Sequence, residues 1–200
     1  MSASSYTPLH DFASKLPAKP KAGLYIDDSN LYHGGKLAGW MCDYKKIYKW
    51  VASLNTVVYA RLYLGIPKHE PARTISKAMK EYFEKNGFRV TSKELKRITD
   101  SHDPKGFKNK CNFDVELHDE VMEDLRDIDI VYITSGDSDF LRTKEKVLKN
   151  QKHIKFLAYE SNCASEIKYT SWFESLDKIK TEISRSPKTE KPDVKSGELA

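Results

Sequence analysis

Apolar and polar positions alternate along this chain in two rhythms. "GLYID" (23–27) is an apolar run of strand length. Asp43 stands ahead of Ile47, Trp50, Val51 and Leu54, which is the spacing of a helix face with an N-cap before it. "TVVYARLYLG" (56–65) predicts a strand that stops at Gly65 and Pro67. "ARTISKAMKEYFEKNG" predicts an amphipathic helix with Ile75, Met79, Tyr82 and Phe83 inward and Gly87 as its stop. "FRVTSK" predicts a short strand, and "RITDSHDPKGFKNK" (97–110) a polar loop. "FDVELHDEVMEDL" (113–125) predicts a helix and "DIVYITS" (129–135) a buried strand. "SDFLRTKEKVLKN" predicts a helix, "HIKFLAYE" a strand, and "ASEIKYTSWFESLDKI" a last element, helical in part. Strands alternating with helices imply right-handed βαβ units, an α/β fold with a mainly parallel sheet between helix layers.

The chain has 200 residues, 39% hydrophobic and 32% charged, enough for one packed domain with a strongly charged surface. Lys and Arg number 34 against 29 Asp and Glu, a net charge of +5, which permits a polyanionic partner without requiring one. The three cysteines, Cys42, Cys111 and Cys163, form no C-x-x-C pair, which argues against a disulfide framework or a structural zinc site. No apolar run approaches membrane-spanning length and the N-terminus carries no apolar signal core, so the protein is read as soluble and cytoplasmic. Residues 1–21 read as a flexible arm in which Leu9, Phe12 and Leu16 offer weak docking points. Residues 22–180 read as the folded domain. Residues 181–200, ending in "SPKTEKPDVKSGELA", have the composition of a disordered tail.

In such sheets ligands sit at the carboxyl ends of strands, where the strand order switches. After the first strand come Asp27, Asp28 and Asn30; after "DIVYITS" come Gly136, Asp137, Ser138 and Asp139. Asp114 opens a helix behind a basic loop. If the two strands are central neighbours, these groups meet at one edge. Crowded carboxylates repel one another, and a divalent cation with hard oxygen ligands removes that cost, which suits Mg2+ or Mn2+. Taken alone, "SGDSDF" is equally a helix cap or a metal site. Its D-x-D spacing also suits haloacid-dehalogenase-type phosphatases and Toprim-type folds, but the former want that pair after the first strand, where "DDSN" stands instead.

"YIDDSNLYHG", "KCNFDVELHDEV" and "VYITSGDSDF" together resemble the NYN-domain family, PIN-like metal-dependent nucleases, over roughly residues 22–177. The resemblance implies a Rossmann-like three-layer α/β/α PIN-type domain and an RNA phosphodiester as substrate. It implies that Asp27, Asp114, Asp137 and Asp139 surround one or two Mg2+ or Mn2+ ions. Asn30 and Ser135 would hold the carboxylates or a water in position, with Lys110 and Asn112 ahead of Asp114. Glu120 falls where the family often has a further acid. Asp28 departs from the pattern, standing where a Gly is common, and is expected to point to solvent. A non-catalytic RNA-binding or adaptor module and a phosphatase-like hydrolase are the rival readings.

Around these blocks, His118 reads as a satisfied, partly buried histidine. Lys93, Lys96, Arg97, Lys105, Lys108 and Lys110 are either a solvated basic loop or a groove that tracks phosphates, in which Phe107 would stack on a base. Tyr32, His33 and Lys36 follow D-x-x-N and could face the same substrate, as could Arg61 and Arg142, which read equally as ordinary surface residues.

Overall fold

The computed structural model describes residues 19–99 and 106–186. Its first strand, β1 (Lys21–Asp27), leads into helix α1 (Asp28–Ala38), followed by α2 (Tyr44–Leu54) and β2 (Thr56–Ile66). Helix α3 (Ala72–Lys85) and strand β3 (Arg89–Glu94) complete the first half. A hairpin of β4 (Lys96–Thr99) and β5 (Phe107–Lys110) precedes helix α4 (Asp114–Asp124) and strand β6 (Ile130–Ile133). A 3-10 turn (Ser138–Phe140) opens into α5 (Leu141–Lys149), then β7 (His153–Ala158). A second 3-10 turn (Glu160–Asn162), α6 (Ser165–Lys168), β8 (Phe173–Ser175) and, beyond a third turn, α7 (Lys180–Ile183) close the described chain.

Six strands form one sheet in the order β3-β2-β1-β6-β7-β8, with every neighbouring pair parallel. Parallel strands are covered on both faces, and their side chains alternate between two cores. Leu24 and Ile26 of β1 join Leu62, Leu64 and Tyr132 under α1, α2 and α3. Tyr25 joins Tyr63, Val131, Ile133 and Phe156 under α4 and α5. The result is the expected three-layer α/β/α arrangement. The chain runs outward from β1 to β3, then returns to the other side of β1 as β6, so the strand order switches between β1 and β6.

Asp43 caps α2 as anticipated, accepting from the backbone N–H groups of Lys45 and Lys46 at 2.9 and 3.2 Å. Helix α1 has no counterpart among the predicted elements because Gly34 and Gly35 interrupt its apolar stripe. Both glycines are buried, and a Cβ at Gly34 would press on the Tyr159 ring, so α1 lies close against the turn after β7. In α3 Phe83 is buried, but Ile75 and Tyr82 are 65% and 48% exposed rather than inward. That helix packs on β2 and β3, at one end of the sheet, where a narrow stripe suffices.

The polar loop expected at 97–110 contains the β4–β5 hairpin, whose mostly polar sequence leaves no alternation to read. The three-residue strand β8 is likewise too short to stand out from its helical-looking surroundings. The core also extends past residue 180. Ile183 is fully buried and its carbonyl accepts from Asp43 N–H at 2.8 Å, while Arg185 Nε donates to the Cys42 carbonyl at 2.9 Å. Residues 181–186 are therefore part of the fold and not of a tail. Of the arm expected at 1–21, Lys21 already belongs to β1 and the Pro20 carbonyl accepts from Thr56 N–H at 2.8 Å, while residues 1–18, like 187–200 of the expected tail, lie outside the described residues.

Candidate active site

Asp27 ends β1 and is also the N-cap of α1, its carboxylate accepting from Asn30 N–H at 3.1 Å. Its own N–H donates to Thr134 Oγ1 at 3.0 Å, which ties the end of β1 to the end of β6. Asn30 turns back across the sheet edge, and its Oδ1 accepts from Gly136 N–H at 3.2 Å. Beyond β6, Ser135 is fully buried and its hydroxyl accepts from Asp137 N–H at 3.4 Å. Asp137 caps the 3-10 turn by accepting from Asp139 N–H at 3.0 Å. Asn112 Oδ1 accepts from Asp114 N–H at 2.7 Å and fixes the first turn of α4.

Asp27, Asn30, Asp114, Asp137 and Asp139 line one cavity of about 290 Å³, with Lys110 and Asn112 on its wall. Ser135 does not line it and supports Asp137 from behind. Burial pushes the Asp27 carboxyl up to about 6, with the charges of Asp28 and Asp114 adding to the rise; Asn30 N–H and the Ser135 hydroxyl oppose it. Asp114 is raised as well, first by burial, then by Asp137 and Asp139, while Asn112 and Lys110 hold it down. Among the described residues no three His, Cys, Asp or Glu side chains converge closely enough to ligate one metal ion directly. Burial pushes the Cys163 thiol up to about 11 and raises that of Cys111, so neither is a ready thiolate near neutral pH.

Several expected residues stand elsewhere. Glu120 does not line the cavity. Six positions beyond Asp114 is about 240° around a helix, which turns Glu120 toward the sheet. There it accepts from Arg61 Nη1 (2.9 Å), the Tyr63 hydroxyl (2.9 Å) and the Thr91 hydroxyl (3.0 Å). Arg61 is buried and clasps Asp124 through Nε and Nη2 at 2.7 and 2.5 Å, so it is a core residue and not a surface or substrate contact. Asp28 does not point freely to solvent: it accepts from the Tyr44 hydroxyl at 2.7 Å. Phe107 already carries the Arg97 guanidinium over its ring at 3.9 Å, so that face is covered and not open to a base. Lys36 is exposed on α1 with Nζ 4.4 Å above the Tyr32 ring and lies off the cavity wall. Lys93 is held by Glu116 and the Asn112 carbonyl. His118 is satisfied by the Thr143 hydroxyl at 2.9 Å. Lys105 and the side chain of Lys108 lie outside the described residues.

A family model described as the NYN domain matches residues 21–177. The chain belongs to the NYN domain family. Low amplitude and bright protein LabA of Synechococcus elongatus is 24% identical over 176 residues, which cover 86% of this NYN domain chain and 91% of that protein. The fold is shared with the crystal structure of a protein of unknown function from Vibrio parahaemolyticus, at a TM-score of 0.64 and 19% identity over 86% of this chain and 99% of that one. The family match spans every segment that lines the cavity: Asp27, Asp114, Asp137 and Asn162 all fall inside it. Asn162, like Ser29, is a polar wall residue that sequence reasoning missed. Its Nδ2 donates to Asn30 O and Oδ1 at 3.3 and 3.4 Å, from a polar turn that carries no motif. Among the described residues no helix is long and apolar enough to cross a membrane.

Proposed function

We propose that this NYN domain is a metal-dependent ribonuclease that hydrolyses RNA phosphodiester bonds at Asp27, Asp114, Asp137 and Asp139. The reading is carried by one observation: four carboxylates from three distant segments line a single cavity at the sheet's switch point. The donors are hard oxygens, which fit Mg2+ or Mn2+. Because the carboxylates are not drawn together for direct ligation, the fit is to an ion that keeps several waters, and a cavity of about 290 Å³ has room for both. Such an ion would supply Lewis-acid charge and an activated water to the phosphorus.

The chain's own groups have separate roles in this reading. Asn30 holds Asp27 by its N–H and Gly136 by its Oδ1, fixing the two strand ends against each other. Ser135 holds Asp137 from behind. Lys110, exposed on the cavity wall, offers a cation to a non-bridging phosphate oxygen. Asp27 must be ionised to hold the ion, so at limiting metal cutting should fall as pH drops through about 6, and raising the metal concentration should move that fall to lower pH.

The test is incubation of the full chain with labelled single-stranded and structured RNAs in Mn2+, Mg2+ or EDTA. Cutting should require the metal and be abolished in Asp27→Asn and Asp137→Asn. RNA that is bound but never cut would favour an adaptor, and turnover of small phosphomonoesters without RNA cleavage would favour a phosphatase.

A further inference from the structure

A second, shallow and open recess, of about 360 Å³, adjoins the carboxylate cavity at Asp137. It shares Asn30, Asp137 and Asn162 with the carboxylate cavity and adds Ser161, Cys163 and Ala164. Its floor is the backbone of Gly136, where a Cβ would collide with the Asn162 carbonyl and Cys163 Cα. The recess therefore depends on a glycine that lets two chain segments approach closely.

Its wall is fixed in orientation. Both amide hydrogen bonds of Asn162 Nδ2 run to Asn30, while Gly34 packs α1 against the same turn. With Nδ2 committed, Asn162 presents Oδ1 as an acceptor, and no donor among the described residues reaches it. Ser161, exposed at the rim, adds a hydroxyl. An amide oxygen has no proton to offer a phosphate and suits a sugar hydroxyl or a base N–H, while the Ser161 hydroxyl can donate to or accept from either.

A phosphodiester has a nucleoside on each side, so a site that cuts one must accommodate a neighbour beside the carboxylates. We propose that the recess walled by Asn162 and Ser161 is the subsite for the ribonucleotide adjacent to the scissile phosphate, with the 2′-hydroxyl donating to Asn162 Oδ1. This rests on the ribonuclease reading and deepens it. Asn162 is then both a substrate contact and the brace of Asn30, whereas Ser161 touches only the recess.

The two residues separate the possibilities. Ser161→Trp fills the recess and meets, of the four carboxylates, only Asp137, so its Mn2+ affinity serves as the control; Asn162→Ala removes the acceptor. A fluorescein-labelled single-stranded oligoribonucleotide is followed by anisotropy in EDTA and by cleavage in Mn2+, and Mn2+ binding by calorimetry. Both variants should bind the RNA about tenfold more weakly, and Ser161→Trp should keep the parent's Mn2+ affinity. A single 2′-deoxy substitution beside the cut should weaken binding by the parent and have no added effect in Asn162→Ala. If the parent cuts RNA and Ser161→Trp binds and cuts as well, the subsite is overturned and the ribonuclease reading stands. A 2′-deoxy substitution that costs the parent nothing overturns the sugar contact. A parent that neither binds nor cuts RNA overturns both.

Discussion

Asp27 ends a strand, caps a helix and faces an acidic cavity, and those positions set its titration. Its carboxyl is raised to about 6 against an unfolded value of about 3.9. A raised acid favours its protonated form in the fold, so below about pH 4 it costs the fold nothing. The penalty grows between about pH 4 and 6 and is complete above that. Without metal, Asp27→Asn should therefore be more stable than the parent by about 1–3 kcal/mol near pH 7.5, a gain that vanishes near pH 4. Urea unfolding in EDTA at both pH values measures it; an Asn variant weaker than the parent near pH 7.5 would contradict burial of a charge as the cause. Asp27, Asn30 and Asp137 are legible in the sequence because each follows an apolar run that announces a strand end. Asn162 is not, because a polar turn gives no such cue. Asp28 reads as solvated because its partner, Tyr44, lies on another helix and no local pattern joins them.

At the scale of elements, the unanticipated feature is the buried polar network between α4 and the sheet. Arg61 of β2 meets Asp124 and Glu120 of α4, Tyr25 of β1 bonds Asp124 at 2.8 Å, and Thr91 of β3 bonds Glu120. Each charge there is paired and hydrogen-bonded, the condition under which buried ions are tolerated. Removing the cation alone strands two carboxylates, so Arg61→Met should cost about 3–5 kcal/mol in urea unfolding. Glu120→Gln keeps its shape and should leave Mn2+ affinity at the parent's value, because Glu120 faces the sheet; a large loss of affinity would return it to the site. Apolar periodicity suffices to find α4. It does not place Glu120, because the angle around a helix, and not the distance along it, decides which side a residue faces.

The whole molecule is a switch-point α/β/α domain, and its alternation of strands and helices is readable because parallel strands bury both faces. What composition obscures is its end. Charged residues around Ile183 look like a tail, yet that one side chain fills the core beside Cys42 and Tyr44. Ile183→Ala should cost about 2–4 kcal/mol in urea unfolding, and a chain ended at 180 should lose at least as much. A chain ended at 180 with unchanged stability would return the boundary to its expected place. The strand order also has a consequence in time. β1 emerges from the ribosome first but waits for β6, over a hundred residues later, to become its neighbour. Asp27 gains Thr134, and Asn30 gains Gly136 and Asn162, only when the chain has been made through those residues. The carboxylate cavity therefore has no counterpart in a nascent chain shorter than this span: its two strand ends are tied together only once β6 and the turn after β7 have been made.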